Sequence, residues 1–105
     1  YELTIQGSQN HAGTTSMLLR HDPVVAAAEF ITESTRQMMA QAPSATLTYG
    51  AIQVFPGMQN VIADRVNLLI DLRDGSNEEL LQDVVLLKRV LESIERKLSD
   101  PASTE

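Results

Sequence analysis

The 105-residue chain is 43% hydrophobic and 21% charged, the make-up of one globular domain with a single modest core. Its net charge of -6 and its 4% aromatic content argue against nucleic acid as a partner, because phosphates would be repelled and few rings are available to stack on bases. With no cysteine there can be no disulfide, thiolate nucleophile or cysteine-based zinc site, and with no apolar run near the roughly 20 residues of a bilayer span no membrane partner is expected.

Tyr1 to Gln6 alternates, with Leu3 and Ile5 on one face and Glu2, Thr4 and Gln6 on the other, the pattern of a half-buried strand. Gly7 ends it and opens the stretch Gly7-Ser8-Gln9-Asn10-His11-Ala12-Gly13-Thr14-Thr15-Ser16-Met17. Glycine permits close backbone approach, and hydroxyls and imidazole are directed hydrogen-bonding groups, so this loop looks built to present His11. His21 beside Asp22 reads as an exposed helix-entry residue. Asp22 is a good N-cap and Pro23 suits a first helical turn. The first helix is expected to run from there to about Gln41, because Pro43 disfavours helix at Ala42. Val24, Ala28, Ile31, Thr35, Met38 and Met39 recur along it near helical spacing.

Ala45 to Phe55 reads as a long strand with Leu47, Tyr49, Ala51 and Gln53 on one face and Thr48, Gly50, Ile52 and Val54 on the other. Pro56-Gly57 is a turn signal. Val61 to Arg73 is the next strand, with Ile62, Asp64, Val66, Leu68, Ile70 and Leu72 on its more apolar face, so the two strands form an antiparallel hairpin. Asp74-Gly75-Ser76 breaks the pattern, and Ser76 with Glu79 makes a capping box. Leu80, Val84, Leu87, Leu91, Ile94 and Leu98 stripe the second helix, with Asp83, Lys88, Arg89, Glu92 and Arg96 on its other side. With so few aromatics the core is expected to be Leu, Val, Ile, Ala and Met. Asp100 to Glu105 reads as a frayed tail.

The order strand, helix, strand, strand, helix predicts an α+β fold, a ferredoxin-like two-layer sandwich with both helices on one face of an antiparallel sheet and its last strand missing. Residues 1–105 are expected to be a single domain cut from a longer protein. The absence of cysteine fits a reducing compartment, and a cytoplasmic location is expected.

Two histidines and no His-x-Asp or His-Glu-x-x-His pair do not make a metal site, so no metal is expected within the chain. Taken singly, His11 reads as a polar loop residue, Asn60 as a turn residue and Arg73 as the partner of Asp71 in a surface ion pair. Met38 and Met39 read as packing.

Taken together, these residues resemble a family. The stretch from Gly7 to Met17 with Arg20 and Asp22 resembles the Gly-x-x-x-His-Ala-Gly-Thr-Thr-Pro-Met-x-x-Arg-x-Asp signature of the di-zinc aminoacylase/carboxypeptidase family, closest to N-carbamoyl-L-amino-acid hydrolases and allantoate amidohydrolases. The resemblance continues through Gly50-Ala51-Ile52-Gln53-Val54-Phe55-Pro56-Gly57, Asn60-Val61-Ile62 and Asp71-Leu72-Arg73. It implies the inserted dimerisation, or lid, domain of such an enzyme. Two divalent metals, zinc or manganese, and a general-base glutamate would then belong to a separate catalytic domain, a partner absent from this chain. The resemblance implies that His11 reaches across a homodimer to stabilise the oxyanion of the tetrahedral intermediate. It gives Asn60 the substrate's polar groups and Arg73 its carboxylate, with the first helix and the long edge strand as the two-fold interface. Alone, the chain is expected to be catalytically inert. Ser16 and Ala63 stand where the family usually has proline, a departure that loosens the loops around His11 and Asn60.

Two other readings compete: a ferredoxin-like regulatory or assembly module that binds a small ligand, and the lid of a related peptidase or deacylase. A lid requires His11, Asn60 and Arg73 to converge on one open face, which a regulatory module does not.

Overall fold

The computed structural model describes residues 1–7 and 22–99, with side chains through residue 96. Five elements occur in order: β1 (Glu2–Gln6), α1 (Pro23–Gln41), β2 (Thr46–Phe55), β3 (Arg65–Arg73) and α2 (Asn77–Ser99). The three strands form one antiparallel sheet of order β1-β3-β2, and both helices lie on one side of it, the expected α+β two-layer arrangement.

The centre of the sheet is β3. Val66, Leu68, Ile70 and Leu72 point at the helices and are buried, Val66 and Leu68 completely, while the residues between them face solvent. Leu3 and Ile5 stand opposite Leu68 and Val66 on the same face. The helices add Ala26, Ala27, Phe30 and Met38 from α1, and Leu86, Leu87, Val90 and Ile94 from α2. Phe30 is among the most buried side chains, and its ring meets Tyr49 edge to face at 6.1 Å. The core is therefore not wholly aliphatic, as the composition suggested. Phe30 sits within it, Tyr49 packs half-buried against it, and Ser34, fully buried, shares a 2.5 Å hydrogen bond with the Tyr49 hydroxyl.

The helix starts obey the local chemistry. Asp22 Oδ1 accepts the Val24 N–H at 2.9 Å, Pro23 occupies the first turn, and the Ala42 N–H closes the end of α1 on the Met38 carbonyl at 2.9 Å. Ser76 Oγ accepts the Glu79 N–H at 3.1 Å, the capping interaction expected for α2. Four expectations need correction. The inward side of α1 carries Ala26, Ala27, Phe30, Ser34 and Met38, while Val24, Ala28, Thr35 and Met39 are exposed, because the small alanines and the large ring fit the sheet together. Asp83 is buried, not part of the polar side of α2.

The third correction concerns β2. Tyr49 pairs with Ile70 but Ala51 with Leu69, so Gly50 is an extra residue in a bulge. One extra residue swaps the faces, and Ile52 and Val54, opposite Leu68 and Val66, join Leu47 and Tyr49 on the helix side, while Ala51 and Gln53 turn away. Finally, β3 begins at Arg65, not Val61. Residues 56–64 form a longer connection in which Ile62 and Ala63 are buried outside the strand ladder, the Asp64 N–H bonds to the Phe55 carbonyl and the Gly7 N–H to the Asp64 carbonyl. Gly57 takes φ +73°, and a Cβ there would meet the Val54 carbonyl oxygen at 3.1 Å, so the turn requires glycine.

Candidate functional site

The side of the sheet away from the helices is open and polar. From β3 it carries Arg65, Asn67, Leu69, Asp71 and Arg73, with Thr4 hydrogen-bonded to Asn67 at 2.8 Å. Arg73 ends the strand, opposite Thr46. Its Nε donates to one Asp71 oxygen at 3.2 Å and its Nη2 reaches the other at 3.0 Å. Asp71 holds the guanidinium pKa above its ordinary value, through the hydrogen bond first and the charge second. The Arg73 side chain is 77% exposed. The Asp71 carboxylate thus occupies the fork as any external carboxylate would, with one oxygen to each nitrogen. An exposed pair of this kind is weak because water screens it, so an incoming carboxylate can displace it.

Asn60 is exposed in the turn between Met58 and Val61, at the other end of the hairpin. The nine-residue strand β3 separates that end from Arg73, about 26 Å at 3.3 Å per residue. The structure therefore does not bring Asn60 and Arg73 together within one chain, and the expected convergence on one open face fails for this pair. The reason is simple: the segment joining them is an extended strand, not a turn. His11 and His21 lie outside the described residues. Gly7, four positions before His11, is tied to Asp64 at the Asn60 end of the sheet. Arg65, at the same end, stacks its guanidinium 4.2 Å from the centroid of the Phe55 ring.

Among the described residues, no group of three or more His, Asp or Glu side chains is placed to hold a metal ion, and no helix is long and apolar enough to cross a membrane. One cluster escapes a reading by motif. Asp74, Glu79 and Asp83 gather where β3 turns into α2, and their i, i+5, i+9 spacing around Gly75-Ser76 is the only signal of it in the sequence.

The chain matches no protein-family model. It is 34% identical over 105 residues to an N-carbamoyl-L-amino-acid amidohydrolase of Pseudomonas sp. (strain NS671), covering 99% of this chain and 24% of that protein. To the allantoate amidohydrolase of Bacillus subtilis (strain 168) it is 39% identical over 90 residues, covering 83% of the chain and 22% of the relative. Among solved structures, an amidase of the hydantoinase/carbamoylase family from Burkholderia multivorans superposes with a TM-score of 0.83 at 31% identity, over 92% of this chain and 24% of that one. The chain thus spans about a quarter of the length of these relatives. Sheet order and site define an α+β domain of the kind carried within these larger amidohydrolases. The chain is homologous to that segment of the N-carbamoyl-L-amino-acid and allantoate amidohydrolases, and has its fold in the hydantoinase/carbamoylase family.

Proposed function

We propose that this chain is the dimerisation and substrate-binding domain of an amidohydrolase that cleaves non-peptide C–N bonds in N-carbamoyl amino acids or allantoate. The reading rests on the similarity of almost the whole chain to one quarter of an enzyme named for that activity. Two divalent metals, zinc or manganese, held by a catalytic domain outside this chain, supply the activated water. The residues of this chain bind and orient. Arg73 exchanges Asp71 for the substrate carboxylate. His11 donates to the carbonyl oxygen as negative charge develops there, and Asn60 holds the polar end of the same substrate.

The strand's length between Asn60 and Arg73 supports a reading in which the two serve different active sites. A two-fold homodimer satisfies this: each site takes Arg73 from one chain and Asn60, with His11, from the other. An uncovered surface supports the pairing. On the helix side of β2, Ile52 and Val54 are 54% and 37% exposed, although their neighbours Leu68 and Val66 on β3 are sealed. The outer edge of β2 has no strand partner among the described residues, and Val24, Val25 and Met39 of α1 are exposed as well. A second copy adding its own β2 would pair the free edge and cover apolar surface.

The test is Arg73→Lys in the parent enzyme. Lysine keeps the charge and loses the fork, so KM for an N-carbamoyl amino acid should rise about tenfold with kcat little changed. An unaltered KM would refute the assignment of Arg73 to the substrate carboxylate.

A further inference from the structure

The turn from β3 into α2 brings three carboxyl groups together without a cation among the described residues. Asp74 accepts the Gly75 N–H at 2.7 Å and the Ser44 hydroxyl at 2.9 Å. A Cβ on Gly75 would lie 3.2 Å from a Glu79 carboxylate oxygen, so the Glu79 carboxylate folds back over the same turn. Asp83, two turns into α2, faces Asp74 and is only 4% exposed, and its Oδ2 is buried with no hydrogen-bond partner among the described residues. A buried, unpaired carboxylate beside another carboxylate is costly. The cluster is not arranged as a metal cage, so the counter-ion that fits is a proton.

We infer that Asp83 retains its proton at mildly acid pH and through it donates a hydrogen bond to Asp74, forming a carboxyl–carboxylate lock that ties the end of β3 and the start of β2 to α2. Through Ser44 the lock reaches the chain just before β2, and through Asp74 it fixes the residue next to Arg73. Asp74 and Glu79 are the charged groups that act on Asp83, and neither α1 nor the strands contribute another among the described residues. Burial first, and then Asp74, push Asp83 up to about 6. The Asp83 carboxyl first, and then the Gly75 N–H, hold Asp74 down to about 2. The Asp74 hydrogen bond raises Glu79 as well.

The two shifts act in opposite directions. The folded value of Asp83 lies above its unfolded one, so its contribution to stability is complete below about pH 4 and is lost as pH rises through about 6. The folded value of Asp74 is depressed, so its contribution is present above about pH 4 and is lost as pH falls toward 2. In the folded chain the lock is made between about pH 2 and 6 and opens above that window, when Asp83 and Asp74 both carry charge.

The test tracks the side-chain carboxyl carbons of the 105-residue chain by NMR as a function of pH, alongside urea unfolding of the chain and of Asp83→Asn. Asp83 should titrate near pH 6, and the urea midpoint of the unsubstituted chain should fall between about pH 4 and 6. Asn at position 83 still donates to Asp74 but cannot ionise, so that variant should lose the fall. Titration of Asp83 at an ordinary carboxylate pH, or the same fall in the Asn variant, would overturn the inference. Neither readout involves catalysis, so failure here leaves the amidohydrolase reading untouched.

Discussion

Two impaired variants of the parent enzyme should repair one another. On the proposed roles, Asn60→Ala and Arg73→Ala each remove a polar partner of the substrate, and a hydrogen bond to a charged group is worth about 1.5–3 kcal/mol, so each variant alone should lose roughly 10- to 150-fold in kcat/KM. The separation of these residues along β3 governs how the variants behave when refolded as a mixture. In the proposed homodimer, random pairing makes about half of the dimers mixed. In a mixed dimer, one site receives an intact Arg73 from the first chain and an intact Asn60 from the second, and the other site receives neither. About a quarter of all sites are then whole, and activity should recover to about a quarter of the unsubstituted enzyme. The assay is the rate of ammonia release from an N-carbamoyl amino acid by the refolded mixture against each variant refolded alone. If Asn60 and Arg73 served the same site from the same chain, no mixed dimer would hold an intact site. A mixture no more active than its components would refute the shared arrangement.

Two further predictions concern the fold itself. Phe30→Ala empties the centre of the core and should cost about 3–5 kcal/mol, read as a lowered urea midpoint at unchanged slope. Gly57→Ala forces a side chain into left-handed backbone against the Val54 carbonyl and should cost about 1–2 kcal/mol in the same assay, whereas an unchanged midpoint would mean the hairpin turn relaxes freely.

The elements are largely legible in the sequence because their ends carry strong local chemistry. Asp22-Pro23 and Pro43 bracket α1 within a residue of its observed ends, and Ser76 with Glu79 marks the start of α2. The failures lie where tertiary structure overrides pattern. Gly50 in a strand is compatible with plain alternation or with a bulge, and only pairing with β3 shows that Ile52 and Val54 turn to the helix side. Asp83 reads as a surface charge because acids seldom enter a core, and nothing local announces that Asp74 waits beside it. Phe30 escapes the helical stripe because the alanines before it fit more than one register. As for the site, the pairing of Arg73 with Asp71 follows from their i, i+2 spacing on one strand face. The separation of Arg73 from Asn60 is equally implicit, since a strand running between two residues must hold them apart.

The central claim is that this domain brings two copies of the enzyme together so that each completes the other's site. Sedimentation of the 105-residue chain at several concentrations tests it most directly. A concentration-dependent dimer, weakened by a charged substitution such as Ile52→Asp on the uncovered side of β2, is the expected result. A strict monomer at every concentration would contradict it.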